Sequence, residues 1–306
     1  MKRLARHRLK SFSDERLLRQ ALRHWHADPG WRAIQALHLR GSPALLATIT
    51  AMSISPRARR RAVALAVAGQ LMHRMPDKAD EHGDPDDSGE IGGEAPRSAS
   101  RRSHRYEMHA ESATQQLLLR GLADPHPDVV RAAVLGLGHR PHGASVEALL
   151  RLAASADRQM RWQVAVALGS YEEPEAIAGL IRLSADPSDE VRDWATFGLG
   201  SLRDDDSPEI RAALRRNLDD PDLDVRGEAL VGLARRREDG LVERLIARLT
   251  PDCHVYELDA AEALADPRLI APLRALADAR PPGAGDPYWR ERLQDALDAC
   301  VPFTGT

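Results

Sequence analysis

The stretch DPSDEVRDWATFGLG (186–200) is followed 34 residues later by DPDLDVRGEALVGLA (220–234), and the two read as one repeated unit. Each opens on Asp-Pro, which starts a turn because the residue before a proline is pushed out of the helical region. An apolar anchor follows, Val191 or Val225, then an arginine, then a run closed by a small-Leu-small triplet. The same pattern recurs in DPHPDVVRAAVLGLG (124–138), RQMRWQVAVALG (158–169) and VYELDAAEALA (255–265). The anchors Val129, Met160, Val191, Val225 and Tyr256 stand 31, 31, 34 and 31 residues apart. The triplet ends nine residues after each anchor, at Gly138, Gly169, Gly200, Ala234 and Ala265. A fixed period of this length marks a repeat architecture.

A second helical segment follows each unit: 145–154, 174–185, 207–218, 241–250 and 267–278. Its Leu and Ile recur at i, i+3, i+4 and i+7, as one buried stripe requires. Ser145, Ser207 and the Asp of each Asp-Pro turn are expected N-caps. Clean period-2 runs and Asn-Gly hairpin turns are missing, so no strands are expected. Each unit is then a helical hairpin that buries its apolar face only against its neighbours. The expected fold is all-α, an α-solenoid of about seven such hairpins with a terminal capping helix. The low aromatic content, 4%, agrees with helices packed closely on small residues.

The units carry a resemblance. Asp-Pro-x-x-x-Val-Arg…Ala…Gly-Leu-Gly at this period resembles HEAT repeats of the short bacterial type named after phycobilisome-lyase subunits. The runs DEVRDWATFGLG and DVRGEALVGLARR, with RAIQALHLRG and AVAGQL near the N-terminus, are similar to YibA-type HEAT proteins encoded beside Rhs polymorphic toxins. That resemblance implies a non-catalytic scaffold that binds another protein, in its narrower form an immunity or accessory partner of a toxin. It also implies that the Val-Arg helix is the second of each hairpin and lines the concave face.

The order along the chain is a basic tail (1–11), two irregular repeats (12–75), a polar Gly/Pro/Ser-rich insertion (76–112), regular repeats (113–278) and a C-terminal cap (279–306). The insertion has too few aliphatics to offset its ordering entropy and reads as disordered. In the cap, Trp289, Leu293 and Leu297 share one face of a short helix expected to turn it inward.

Chemistry-bearing motifs are sparse. The two cysteines, Cys253 and Cys300, form no CxxC pair, and a reducing cytoplasm is the expected setting. No run of 18 apolar residues occurs, and no apolar run with a cleavage site follows the basic N-terminus, so neither membrane nor secretory signal is expected. His24 and His26 project about 200° apart on a helix, a poor chelate. His139 and His142 have no partner at zinc spacing, so no metal or cofactor is expected. The HEAT-like iron enzyme deoxyhypusine hydroxylase uses His-Glu dipeptides, and this chain has none.

Positions two and three after each anchor vary from repeat to repeat, which marks an exposed face. They supply the expected partner-binding residues Arg131, Trp162, Gln163, Asp193, Trp194, Glu228 and Asp259. Trp is a preferred anchor at protein interfaces, and the carboxylates suit a partner with a basic surface. Asp186, Arg192, Asp220 and Arg226 resemble the ladder that ties neighbouring HEAT repeats together. Two alternatives stand beside the scaffold. One is nucleic-acid binding through Arg57, Arg59, Arg60 and Arg61, with the tail residues Arg3, Arg6, Arg8 and Lys10. The other is a lyase-type subunit. The net charge of −3 conceals an asymmetry: residues 1–75 hold 15 Lys/Arg against 3 Asp/Glu, and 76–306 hold 28 against 43. In a solenoid this becomes a long-axis charge dipole.

Overall fold

The computed structural model describes residue 9 and residues 11–74, 106–279 and 286–301. The tail arginines and most of the polar insertion lie outside them. Two compact units divide the chain, 1–136 and 137–306.

The first unit opens with two helical hairpins: α1 (Asp14–Arg23) with α2 (Asp28–His38), and α3 (Pro43–Ser53) with α4 (Ala58–Gly69). Ser13 and Ser42 start α1 and α3 by accepting the backbone N–H three residues on, at 3.3 and 3.2 Å. Then comes an element that the sequence pattern did not suggest. Strand β1 (Met72–Arg74) pairs antiparallel with β2 (Tyr106–Met108), Met72 opposite Met108. Three-residue strands are too short to show a period. Helix α5 (Glu111–Gly121) follows directly, so regular structure resumes at Tyr106, inside the span 76–112 expected to be disordered. Helix α6 (Pro127–His139) crosses into the second unit.

The second unit continues the alternation. First helices are α7 (Val146–Leu152), α9 (Pro174–Leu183), α11 (Pro208–Asn217), α13 (Leu241–Arg248) and α15 (Ile270–Ala279). Second helices are α8 (Arg158–Leu168), α10 (Asp189–Gly200), α12 (Leu223–Arg235), α14 (Val255–Leu264) and α16 (Pro287–Cys300). The second helices pack in one row, α8 on α10, α10 on α12, α12 on α14 and α14 on α16. The architecture is an all-α solenoid of helical hairpins.

The repeated apolar slots build the core. Val129, Met160, Val191 and Val225 are buried, as are the Ala or Val four residues on and the Leu eight on in each repeat. Tyr256 departs from the pattern. It is half-buried, and the core position in its helix belongs to Leu258, wholly buried two residues on. The Tyr256 ring instead lies across Gly227 of the preceding repeat, where an added Cβ would meet it at 2.1 Å. Backbones also meet closely between neighbouring second helices. A Cβ on Gly232 would stand 2.6 Å from the Gly200 Cα, so α10 and α12 touch through a glycine pair, and Gly69 meets Gly136 in the same way in the first unit. In α16, Trp289 and Leu293 are buried with Ala296 and Cys300, whereas Leu297 is half-buried. Trp289 donates its indole N–H to the Cys253 carbonyl at 3.0 Å.

The caps correct two expectations. Ser207 does cap α11, at 3.3 Å from the Ile210 N–H. Ser145 caps nothing: it is fully buried in a short 3-10 turn, its Oγ 2.7 Å from the Tyr171 hydroxyl and donating to the His142 carbonyl. Among the Asp-Pro turns, Asp286 caps α16 at 3.0 Å from the Tyr288 N–H and Asp266 caps a 3-10 turn at 2.9 Å from the Arg268 N–H, but the Asp that opens three of the repeat turns is no N-cap. Asp124, Asp186 and Asp220 each accept the N–H two residues on at 2.9 Å, closing an Asx turn before the helix begins.

Candidate functional site: an acidic and aromatic face

The inter-repeat joint limits which charges remain for binding. Arg192 donates from Nε and Nη2 to both oxygens of Asp220 in the next turn, each at 2.8 Å. Its Nη1 reaches back to the carbonyls of Asp186 and Pro187 in its own turn, at 3.0 and 3.3 Å. Arg161 repeats this one unit earlier, forking onto Asp186 at 2.7 and 3.0 Å. Arg226 reaches its own-turn carbonyls of Asp220 and Pro221 at 2.6 and 2.8 Å, and the next turn has no aspartate in the matching place. Burial raises the pKa of Asp186 and Asp220, but the arginine and backbone hydrogen bonds outweigh it and hold both below the ordinary carboxylate value.

Arg61 makes the same joint in the first unit. It forks onto Asp124 at 2.7 and 2.8 Å and reaches Ser55 and Pro56 behind it. This removes Arg61 from the nucleic-acid set, because its guanidinium is committed. The register explains the reassignment. Arg61 stands six residues after Ser55, as Arg192 stands six after Asp186, and the Ser-Pro start conceals the match. The exposed Arg57, Arg59 and Arg60 remain at the start of α4.

The variable slots are less open than their variability implied. Ala132, Gln163, Gly227 and Leu258 are buried. Trp162, Asp193, Trp194, Glu228 and Asp259 are half-buried. Arg131 belongs to the first unit, where its Nη1 is 3.1 Å from an Asp128 oxygen.

Three aromatic rings form a chain across α8 and α10. Trp162 meets Trp194 edge-to-face at 6.0 Å and 89°, and Trp194 meets Phe197 at 5.7 Å and 88°. This geometry sets positive ring edges against negative faces. Phe197 is half-buried and completes the chain.

Carboxylates gather on α10 and α12. Burial, then the nearby charges of Asp224 and Glu228, push the Asp193 carboxyl up to about 7. Burial also raises Glu228, which accepts the Ser201 hydroxyl at 2.7 Å. The Tyr256 hydroxyl donates to Asp224 at 3.2 Å. Among the described residues no Lys, Arg or His forms an ion pair with Asp193, Asp224 or Glu228. Asp259 differs: Arg292 of α16 contacts it at 2.6 Å and also binds Glu262 and Asp295, so Asp259 has an internal cation that Asp193 and Glu228 lack. The site is therefore centred on Asp193, Glu228 and the two tryptophans. Asp224 and Tyr256 complete it. The sequence reading missed both: Asp224 precedes its anchor, and Tyr256 occupies an anchor's place.

Among the described residues no three His, Cys, Asp or Glu side chains stand close enough to hold a metal ion, and no helix is long and apolar enough to cross a membrane.

Comparison with known proteins finds a family for part of the chain. A model of HEAT repeats matches residues 115–200 and 180–265. No curated protein matches the chain in sequence. Among solved structures, Escherichia coli YibA superposes with a TM-score of 0.64 at 20% identity, covering 97% of this chain and 95% of that one. Kap121p superposes with a TM-score of 0.57 at 13% identity, covering 93% of this chain and 33% of that one. Residues 115–265 are HEAT repeats, and the protein is an α-solenoid built on them.

Proposed function

We propose that this HEAT-repeat protein is a non-catalytic scaffold whose second unit binds a protein partner with a basic surface. One observation carries the reading: Asp193 on α10 faces Asp224 and Glu228 on α12 without a cation, burial and then their charges raise its pKa to about 7, and Trp194, one residue on, meets Trp162 of α8 edge-to-face. Such a cluster is electrostatically unfavourable alone and is relieved by an incoming guanidinium or ammonium. Aromatic faces beside it suit the same groups through cation–π contact.

The narrower form is sequestration of an Rhs-type toxin. The YibA-type resemblance supports it, and the likeness to YibA supports the shared fold on which it rests. A cytoplasmic setting and the phycobilisome-lyase type of repeat go with this reading.

The test is capture from the native lysate by tagged wild type and by Trp162→Ala/Trp194→Ala, compared by quantitative mass spectrometry. The proposal expects a basic protein held by wild type and reduced about tenfold or more by the double variant, an effect of hot-spot size. Equal capture by both proteins would place the binding surface elsewhere.

A further inference from the structure

Many of the described arginines are tied down. Arg61, Arg161 and Arg192 fork onto aspartates, and Arg211, Arg268 and Arg292 each meet two or more carboxylates. One place in the first unit departs from this economy. A groove of about 760 Å³ lies where α1 faces the first turn of α4. Arg16, Arg19 and Arg23 line it from α1, and Arg57, Arg59 and Arg60 from the start of α4. Among the described residues no carboxylate lines it, and Leu22 is the only apolar one that does. Among the described residues only Arg19 of these six makes an ion pair, with Glu15.

The arrangement is unfavourable without a counter-charge. The N-terminus of a helix carries partial positive charge and favours acidic residues. The first turn of α4 has no acid, its N-cap is Arg57, and that side chain makes no capping hydrogen bond. Cations are thus added to the positive end of a helix, opposite a second row of cations. Arg16, Arg19 and Arg23 are spaced i, i+3 and i+7, so they line one face of α1 over about 10 Å. A row of that length matches successive charges on a chain better than one small anion. Arginine forks suit phosphate oxygens, and with His24 the single ring among the described lining residues the groove reads charge more than bases.

We infer that the groove between α1 and the first turn of α4 binds the phosphate backbone of a nucleic acid. It is separate from the acidic and aromatic face and does not depend on the proposed partner. It uses three arginines of α1 that no run of basic residues in the sequence reveals, and it excludes Arg61.

The test is fluorescence anisotropy with a labelled mixed-sequence single strand of about 16 nucleotides and with its duplex, between about 50 and 200 mM salt. Wild type is expected to bind, with affinity falling as salt rises. Arg23→Gln/Arg57→Gln/Arg60→Gln should weaken binding about tenfold or more and lower the salt slope on the single strand by about 2, the value for three lost phosphate contacts. Arg57→Glu, which places an acid where the helix favours one, should fold and also weaken binding. Arg158→Gln, at an arginine of the second unit paired with Glu190, should bind as wild type. The inference is overturned by no binding at the lower salt, by unchanged affinity in the triple variant or in Arg57→Glu, or by equal affinity for a polyglutamate peptide of matched charge.

Discussion

Asp193 holds a proton over a pH range in which an ordinary aspartate does not. Its unfolded value is near 3.8 and its folded value is about 7. The folded state therefore binds the extra proton between those limits, and stability falls as pH rises through that window. Asp193→Asn removes the titration. It should be neutral below about pH 4 and stabilising at about pH 8, by roughly 1–2 kcal/mol once solvent screening is allowed for. Urea unfolding at both pH values checks it. An equal effect at both would show that packing, not charge, dominates the site. At this scale the sequence showed Asp193 and the tryptophans as variable positions in a regular repeat. It could not show their burial. Gln163 and Leu258 occupy the same slots and are buried, because exposure at a slot is set by the packing around it and not by its variability.

Between elements, the arginine forks are the repeated joint. Arg192 and Asp220 are largely buried, with side chains 15% and 9% exposed. Arg192→Gln leaves the Asp220 carboxylate without its cation and should cost about 3 kcal/mol. Asp220→Asn should cost less, and the double variant should cost less than the sum, which a double-mutant cycle in urea measures. Additive costs would mean that the fork contributes nothing as a pair. Because Asp186 and Asp220 have lowered folded pKa values, the joint's contribution is present above about pH 4 and is lost as pH falls through those values. The helices themselves were readable from period and punctuation, within a few residues at most ends. Two features were not. The β1–β2 pair is formed by residues distant in sequence, and no local pattern encodes three-residue strands. The Arg61–Asp124 fork begins at Ser55, where the Asp-Pro signature has become Ser-Pro, and the dense arginines around it suggested nucleic acid.

At the scale of the molecule, charge divides between the two units. Residues 1–136 hold 22 Lys/Arg against 15 Asp/Glu, and residues 137–306 hold 21 against 31. Among the described residues, each unit keeps a group of like charges that ion pairs leave largely uncompensated, basic in the first and acidic in the second. A small net charge thus conceals two surfaces suited to partners of opposite sign. The central claim is that the acidic and aromatic face binds cationic protein. Isothermal titration calorimetry with an arginine- and lysine-rich peptide of about ten residues, at about pH 6 and pH 8, tests it most directly. Binding of a cation favours ionised Asp193, so the account predicts proton release, tighter binding at the higher pH, and loss of binding in Trp162→Ala/Trp194→Ala and in Asp193→Asn/Glu228→Gln. Peptide binding that ignores both double variants, or that weakens as the pH rises, would contradict it.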